Sequence, residues 1–382
     1  MMAKSKVLLV HSSAGLYGAD RCLVAIAREL VGRGTTVHVA VPEDGALVGM
    51  LASAGARVHL LDTVVFRREM MSLRGMVGMV LRAPVSVLRL ARLIRREKIG
   101  LVHTNTGVTV GGALAARLCR VPHVWHFRDI LTEFKRYLRF YEPFVDLFST
   151  RIIFITVAVR DHFSSEGIKR KGVVIYDGIP VQDFQDTAPE APIPPLVVTT
   201  VGRLAPYKGQ DYLIRALAKA AGEGLELEAY VVGDVYGDRH AFRMELMALA
   251  DEQGIGGRVH FEGFQEQVQP YLEKCNIFVM PSTRPEPLGI VILEAMAAGR
   301  AVISTDGGGA VEILEDGVTG VLVPSGNSDK MAAAITDLAK NDEKRLGIAR
   351  RGKEVALADY SEEKMAASVA DLFEEVINVS NQ

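Results

Sequence analysis

Two carboxylates with seven residues between them, Glu286 and Glu294, lie in the stretch RPEPLGIVILEAMAAGRAVISTDGGGAVEILEDGVTGVLVP from Arg284 to Pro324. They flank a turn that opens an apolar helix, and the free backbone N–H groups at a helix start suit a phosphate. One carboxylate before that start and one inside the helix can accept hydroxyls on either side of the phosphate. This arrangement fits a nucleoside diphosphate carrying a sugar. Glu294 stands among Val291, Ile292, Leu293, Ala295, Met296 and Ala297, where a carboxylate is costly to bury without donors. A ribose diol would supply them; an exposed helix charge is the ordinary alternative. Glu286 sits between Pro285 and Pro287, so it either holds a ligand or shapes a turn.

A second motif, VGRLAPYKG (Val201–Gly209), places Arg203 and Lys208 just after a strand that ends at Gly202. Arg can clamp two oxygens of a diphosphate while Lys acts as a point charge; alone, such a loop could be merely solvated. Gly307–Gly309 form a flexible turn before a short helix that Glu312 could cap. His126 ends an apolar strand beside His123 and Trp125, so it either meets a ligand or packs. Asp129 is an acceptor contact or a helix N-cap. No DxD-type acidic pair stands in a loop suited to a divalent metal, so neither metal nor cofactor is expected.

The elements that must position these residues alternate along the whole chain. Short β-branched runs begin near Val7, Thr36, Arg57, Leu101, His123, Ile152 and Val173. After the proline-rich segment Thr187–Pro195 they resume near Leu196, Glu228, Val259, Ile277, Ala301 and Gly320. Helical periodicity lies between most of them, as in Ala19–Val31 with Cys22, Leu23, Ile26, Ala27 and Leu30 on one face. Alternation of this kind gives parallel sheets with helices on both faces, binding at the carboxyl ends of the strands. We expect an α/β protein of two doubly wound domains, residues 1–184 and 185–360, facing a central cleft. The last helix, 361–382, is free to pack back on the first domain.

Composition narrows the class. The chain has 382 residues, beyond the usual single core. A net charge of −2 gives no bulk attraction to nucleic acid. Three cysteines without a CxxC pair exclude a disulfide framework or zinc finger and fit a reducing cytoplasm. The apolar run after the first lysines is too short for a signal peptide, and no run approaches a membrane span. One segment is strongly basic: Arg67–Lys98 holds nine cations against two acids, +7 net (nine minus two), with Met, Val, Leu and Ile between them. Such a segment can lie on an anionic bilayer, with 135–141 (KRYLRFY) adding to it, or it is a helix with a solvated basic face. Pro84 should divide it into two helical pieces.

In their order, GLYGADR, WHFRD, YDGIP, VGRLAPYKG, GFQEQVQPYLEKCNIFVMPS, EPLGIVILE and TDGGGAVEIL resemble the GT-B glycosyltransferases of family 4 from about Gly15 to Glu312. The resemblance implies two Rossmann-like domains and a retaining, metal-independent transfer of a hexose-type sugar from a nucleotide-diphosphate donor. It implies a glycan or lipid-linked acceptor, as in cell-surface polysaccharide or glycolipid synthesis. By the same resemblance Glu286 contacts the donor sugar, Glu294 the ribose, and Arg203 and Lys208 the diphosphate, aided by the N–H groups of Leu288 and Gly289. Gly15, Gly18, Gly202 and Gly233 permit close approach to the donor, Phe264 and Gln265 lie near the nucleobase, and His126 lies against the transferred sugar. The leaving phosphate takes the acceptor's proton on the same face. Four departures stand out: Pro287 for glycine, Leu288 for phenylalanine, Tyr17 in place of a glycine, and Asp177 for asparagine. A sugar-nucleotide epimerase and a non-catalytic nucleotide-sugar-binding subunit are the alternatives; no lysine suits the pyridoxal phosphate of a phosphorylase, and SSAGLYGAD lacks the GxGxxG of a dehydrogenase.

Overall fold

The computed structural model describes residues 5–15, 18–65, 73–130, 135–184, 194–235 and 240–380, the side chains of 73–81, 135–137 and 240 excepted. The chain divides into two compact units, Met1–Gly178 with Glu362–Gln382, and Ile179–Ser361.

The first unit is built on seven parallel strands: β1 (Lys6–Val10), β2 (Thr36–Val41), β3 (Arg57–Leu60), β4 (Leu101–Thr104), β5 (His123–Phe127), β6 (Arg151–Phe154) and β7 (Gly172–Val174). Their order is β3-β2-β1-β4-β5-β6-β7. The chain therefore reverses direction across the sheet between β1 and β4, the switch point of a doubly wound fold. β4 and β5 are buried at every position, as strands covered on both faces must be. The helix Glu362–Ser380 belongs to this unit and packs on the helix Gly18–Gly32. Met365, Val369, Phe373 and Val376 are its buried face, and Arg33 ties it down through Asp371 at 2.5 Å and Glu374 at 3.2 Å.

Proline 84 does not divide the basic segment: one helix runs from Leu73 to Glu97 through it. Proline removes one N–H from the ladder, but the following turns are anchored by tertiary contacts. Leu90, Ala91, Leu93 and Ile94 are buried in the core, and Ser86 Oγ donates to Asp62 Oδ2 at 3.0 Å. The packing of these residues beyond Pro84 outweighs the missing bond.

The second unit carries β8 (Leu196–Val201), β9 (Leu227–Val232), β10 (Val259–Gly263), β11 (Ile277–Met280), β12 (Ala301–Thr305) and β13 (Val321–Val323). Their order is β10-β9-β8-β11-β12-β13, all parallel. Its core runs from Val198, Val279 and Ile303 on the sheet to Ile214, Leu217 and Ile335 on the helices. The switch point lies between β8 and β11, and the loops that leave these two strands carry Arg203, Lys208 and Glu286. Most of the expected linker, residues 187–193, lies outside the described residues.

Candidate active site

In the second unit, β8 ends at Val201 and the chain turns through Gly202 to an exposed Arg203. The Arg203 carbonyl accepts from Gln210 Nε2 at 2.9 Å. Lys208 closes a single tight helical turn, Pro206–Lys208, just before the helix Gln210–Gly222. The loop after β11 is pinned to this turn: Thr283 N donates to the Tyr207 carbonyl at 2.8 Å, and the Arg284 guanidinium lies 5.4 Å from the centre of the Tyr207 ring. This pinning brings together two residues 78 positions apart. Lys208 Nζ donates to both carboxylate oxygens of Glu286, at 2.8 and 2.9 Å. Ser282 Oγ donates to Glu286 Oε1 at 2.6 Å, and the Ser282 carbonyl is itself held by Thr305 Oγ1 at 2.8 Å.

The glycine run after β12 fixes the backbone of Glu286. Gly309 N donates to the Glu286 carbonyl at 2.9 Å. Gly308 has φ +64°, and a Cβ there would stand 2.0 Å from that carbonyl oxygen. These glycines let two backbones meet, a role that glycine alone fills. Past Glu286, Leu288 is buried and Gly289, with φ +82°, precedes the eight-residue helix Ile290–Ala297. Glu294 is half-buried in that helix, among buried Ile292, Leu293, Ala295 and Met296.

Gly233 follows β9 and Gly263 ends β10, and the two bond to one another, Gly233 N donating to the Gly263 carbonyl at 2.8 Å. Phe264, which follows, is 63% exposed; a large ring left in water is available to stack on a ligand. Gln265 is already engaged, its Nε2 donating to the Glu262 carbonyl at 2.9 Å.

In the first unit, Gly15 lies in the loop after β1 and Gly18 opens the next helix, while Leu16 and Tyr17 fall outside the described residues. His126 is fully buried in β5. Burial, with the nearby Arg128 guanidinium, holds its pKa well below the usual imidazole value, so the ring is neutral. Arg128 Nη2 donates to His126 Nδ1 at 3.5 Å, and His103 Nε2 is 3.3 Å from the same atom. His126 Nε2 has no partner among the described residues. Asp129, next along, reaches solvent, yet the surrounding protein raises its carboxyl by desolvation. The start of the following helix borders the undescribed residues 131–134, so the N-cap reading of Asp129 lies outside what is described.

Sequence reasoning missed a buried polar chain at the carboxyl ends of these strands. Asp20 Oδ1 accepts from His11 Nε2 at 2.5 Å, and Asn105 Nδ2 donates to His11 Nδ1 at 3.2 Å. Asn105 Oδ1 accepts from Arg128 Nε at 3.2 Å, and Arg128 Nη1 pairs with Asp177 Oδ1. All five residues are buried. The signal was present: His11, Asn105 and Arg128 each come directly after an apolar strand run. Among the described residues, no three His, Cys, Asp or Glu side chains cluster to hold a metal, and Cys22, Cys119 and Cys275 are unpaired.

The sequence profile of the family described as Glycosyltransferase Family 4 matches residues 17–183, and that described as Glycosyl transferases group 1 matches 182–355. The chain belongs to the family 4 glycosyltransferases. Its fold is GT-B, and it is a transferase. The crystal structure of Anabaena HepE in complex with UDP matches with a TM-score of 0.81 at 26% identity, over 97% of this chain and all of that one. The lipopolysaccharide core biosynthesis glycosyltransferase LpsE of Rhizobium meliloti is 35% identical over 49% of this chain, a match that spans about half (51%) of LpsE. The phosphatidyl-myo-inositol mannosyltransferase of Mycolicibacterium smegmatis is 28% identical over 87% of this glycosyltransferase and 86% of its own length.

Proposed function

We propose that this glycosyltransferase moves a hexose-type sugar from a nucleotide-diphosphate donor to a glycan or lipid-linked acceptor, with retention at the anomeric carbon and without a metal. The observation that carries the reading is the meeting of Lys208 and Glu286 at the carboxyl ends of β8 and β11, where a doubly wound sheet binds its ligand. Arg203, Lys208 and the N–H groups at Gly289 supply the positive charge that a departing diphosphate needs. Glu286 orients the sugar and Glu294 the ribose. His126, a neutral imidazole whose Nε2 has no partner among the described residues, is assigned to a hydroxyl of the transferred sugar. HepE, crystallised with UDP and with UDP-glucose, supports a nucleotide-sugar donor here. The names of LpsE and of the mannosyltransferase support a glycolipid or cell-surface polysaccharide product.

The test is thermal unfolding with UDP, GDP and ADP. A diphosphate at about 100 times its Kd adds roughly 2.7 kcal/mol to the folded state. One of the three should raise Tm, and the double variant Arg203→Ala/Lys208→Ala should lose the shift. No shift with any of them would sink the donor reading. Release of a rearranged sugar nucleotide with no acceptor present would instead mark an epimerase. Proton NMR of the product's anomeric centre checks retention, and undiminished turnover in excess EDTA checks metal independence.

A peripheral membrane contact belongs to the same reading. Among the described residues no helix is long and apolar enough to cross a membrane. On the helix Leu73–Glu97, however, Arg82, Arg89, Arg92 and Arg96 are exposed together with Val85 and Leu88. Each cation near an anionic surface contributes about 1 kcal/mol. Sedimentation with phosphatidylglycerol vesicles but not with phosphatidylcholine, weakened by salt and by Arg89→Glu/Arg92→Glu, is the expected result.

A further inference from the structure

The Lys208–Glu286 pair joins two groups that the proposed function assigns to different parts of one ligand, and it leaves little room for that ligand. An ionised carboxylate offers about four lone-pair sites, two on each oxygen. On Glu286, Oε1 takes Lys208 and Ser282, and Oε2 takes Lys208. Both side chains are mostly shielded, 22% and 15% exposed, so water does little to weaken the pairing. A sugar presenting two neighbouring hydroxyls needs two acceptor sites and finds one, on Oε2. To seat both, Glu286 must release Lys208 from at least one oxygen.

We propose that Glu286 sequesters Lys208 in the donor-free site, and that the sugar's hydroxyls release Lys208 to the diphosphate by taking its place. The inference rests on the donor reading above. The exchange makes Lys208 a sensor of whether the diphosphate carries a sugar. A bare nucleoside diphosphate has no hydroxyl to offer Glu286, so it binds with Lys208 still turned away and leans on Arg203. The donor brings replacement hydrogen bonds and gains a cation. Once the sugar has left, Glu286 recaptures Lys208 and the grip on the product loosens. Ser282 is the positioning residue that holds the carboxylate within reach of both partners.

Calorimetric titration of the whole chain with UDP, GDP and ADP tests this as a two-by-two cycle of Glu286→Gln and Lys208→Ala, each variant checked for an unchanged fold by its melting curve. In the Lys208 background, Glu286→Gln should tighten the preferred diphosphate about tenfold, the low end for a charge-assisted hydrogen bond. In the Lys208→Ala background the gain should shrink below about twofold. An equal gain in both backgrounds would mean that Glu286 merely repels phosphate, and the exchange is then wrong. No gain in either overturns it as well. If Glu286→Gln does not fold, Glu286→Ala carries the same expectation. Binding of no diphosphate by any of the four proteins would overturn the donor reading and this inference together, an outcome distinct from normal binding with no coupling.

Discussion

At the scale of single residues, the chemistry depends on which groups are charged and where they are held. Lys208 is the clearest case. Its partner charge on the departing diphosphate grows toward the transition state, so Lys208→Ala should lower kcat more than it raises KM. The expected loss is about 10²-fold, typical of removing one electrostatic donor, and steady-state kinetics with the preferred donor reads it. An unchanged kcat would remove Lys208 from the mechanism. Arg128 gives a contrasting prediction. It is 5% exposed and paired with Asp177, also 5% exposed. Truncating one member of a buried pair strands the other, at a cost of about 3–5 kcal/mol. Arg128→Met should lower denaturant stability by that amount, whereas Arg203→Met, at an exposed position, should leave stability within about 0.5 kcal/mol.

At the scale of elements, two loops decide where Glu286 stands: the turn that carries Lys208 and the glycine run after β12. Gly308 tests the second. Alanine there meets a left-handed backbone and an oxygen 2.0 Å from its Cβ, so the loops must part. Gly224 is left-handed too, φ +88°, but nothing lies within 4 Å of a Cβ there. Gly224→Ala should cost about 1 kcal/mol and no activity. Gly308→Ala should cost more and lower kcat well beyond what its folded fraction explains, as activity measured beside the melting curve will show. The elements themselves were legible in the sequence. The thirteen strands among the described residues lie where β-branched apolar runs stood; central strands such as β4 and β5, buried at every position, have little choice of composition. The path through Pro84 was not legible, since what carries the helix past it is packing supplied by distant segments. The acids, cations and glycines of the second unit could be read from local motifs. The chain from Asp20 to Asp177 was legible only in part: His11, Asn105 and Arg128 follow strand runs, but its members are joined across as many as 94 positions, and no local pattern reports that four strand ends converge.

For the molecule as a whole, the distribution of histidines sets how it meets acid. His38, His103, His123 and His126 are all essentially inaccessible, and all belong to the first unit. Desolvation is the main cause that lowers each: His38 to about 4, His123 to about 3, and His103 and His126 well below the ordinary 6.5. A histidine held neutral in the fold but free to protonate when unfolded gives the unfolded state more bound protons as pH falls. Stability is therefore full above 6.5 and declines below it, and each group stops contributing only when pH reaches its folded value. The slope is about 1.4 kcal/mol per pH unit for each such group. The slope is half that at pH 6.5 and nears its full value a unit lower, so four together remove roughly 4 kcal/mol between pH 6.5 and 5.5, a large part of the stability of a domain. In the second unit, His260 lies 2.6 Å from the Glu228 carboxylate. Calorimetric scans from pH 7.5 to 5 should thus show the two units parting, with the first unit's transition moving down in temperature more steeply than the second's. His123→Gln should flatten the moving transition by one group's share of the slope, since the amide can still meet Thr104 Oγ1 or the Phe148 carbonyl. A single transition that moves as one unit over that range, or a moving transition that His123→Gln leaves as steep as before, would show that the buried imidazoles do not govern the response.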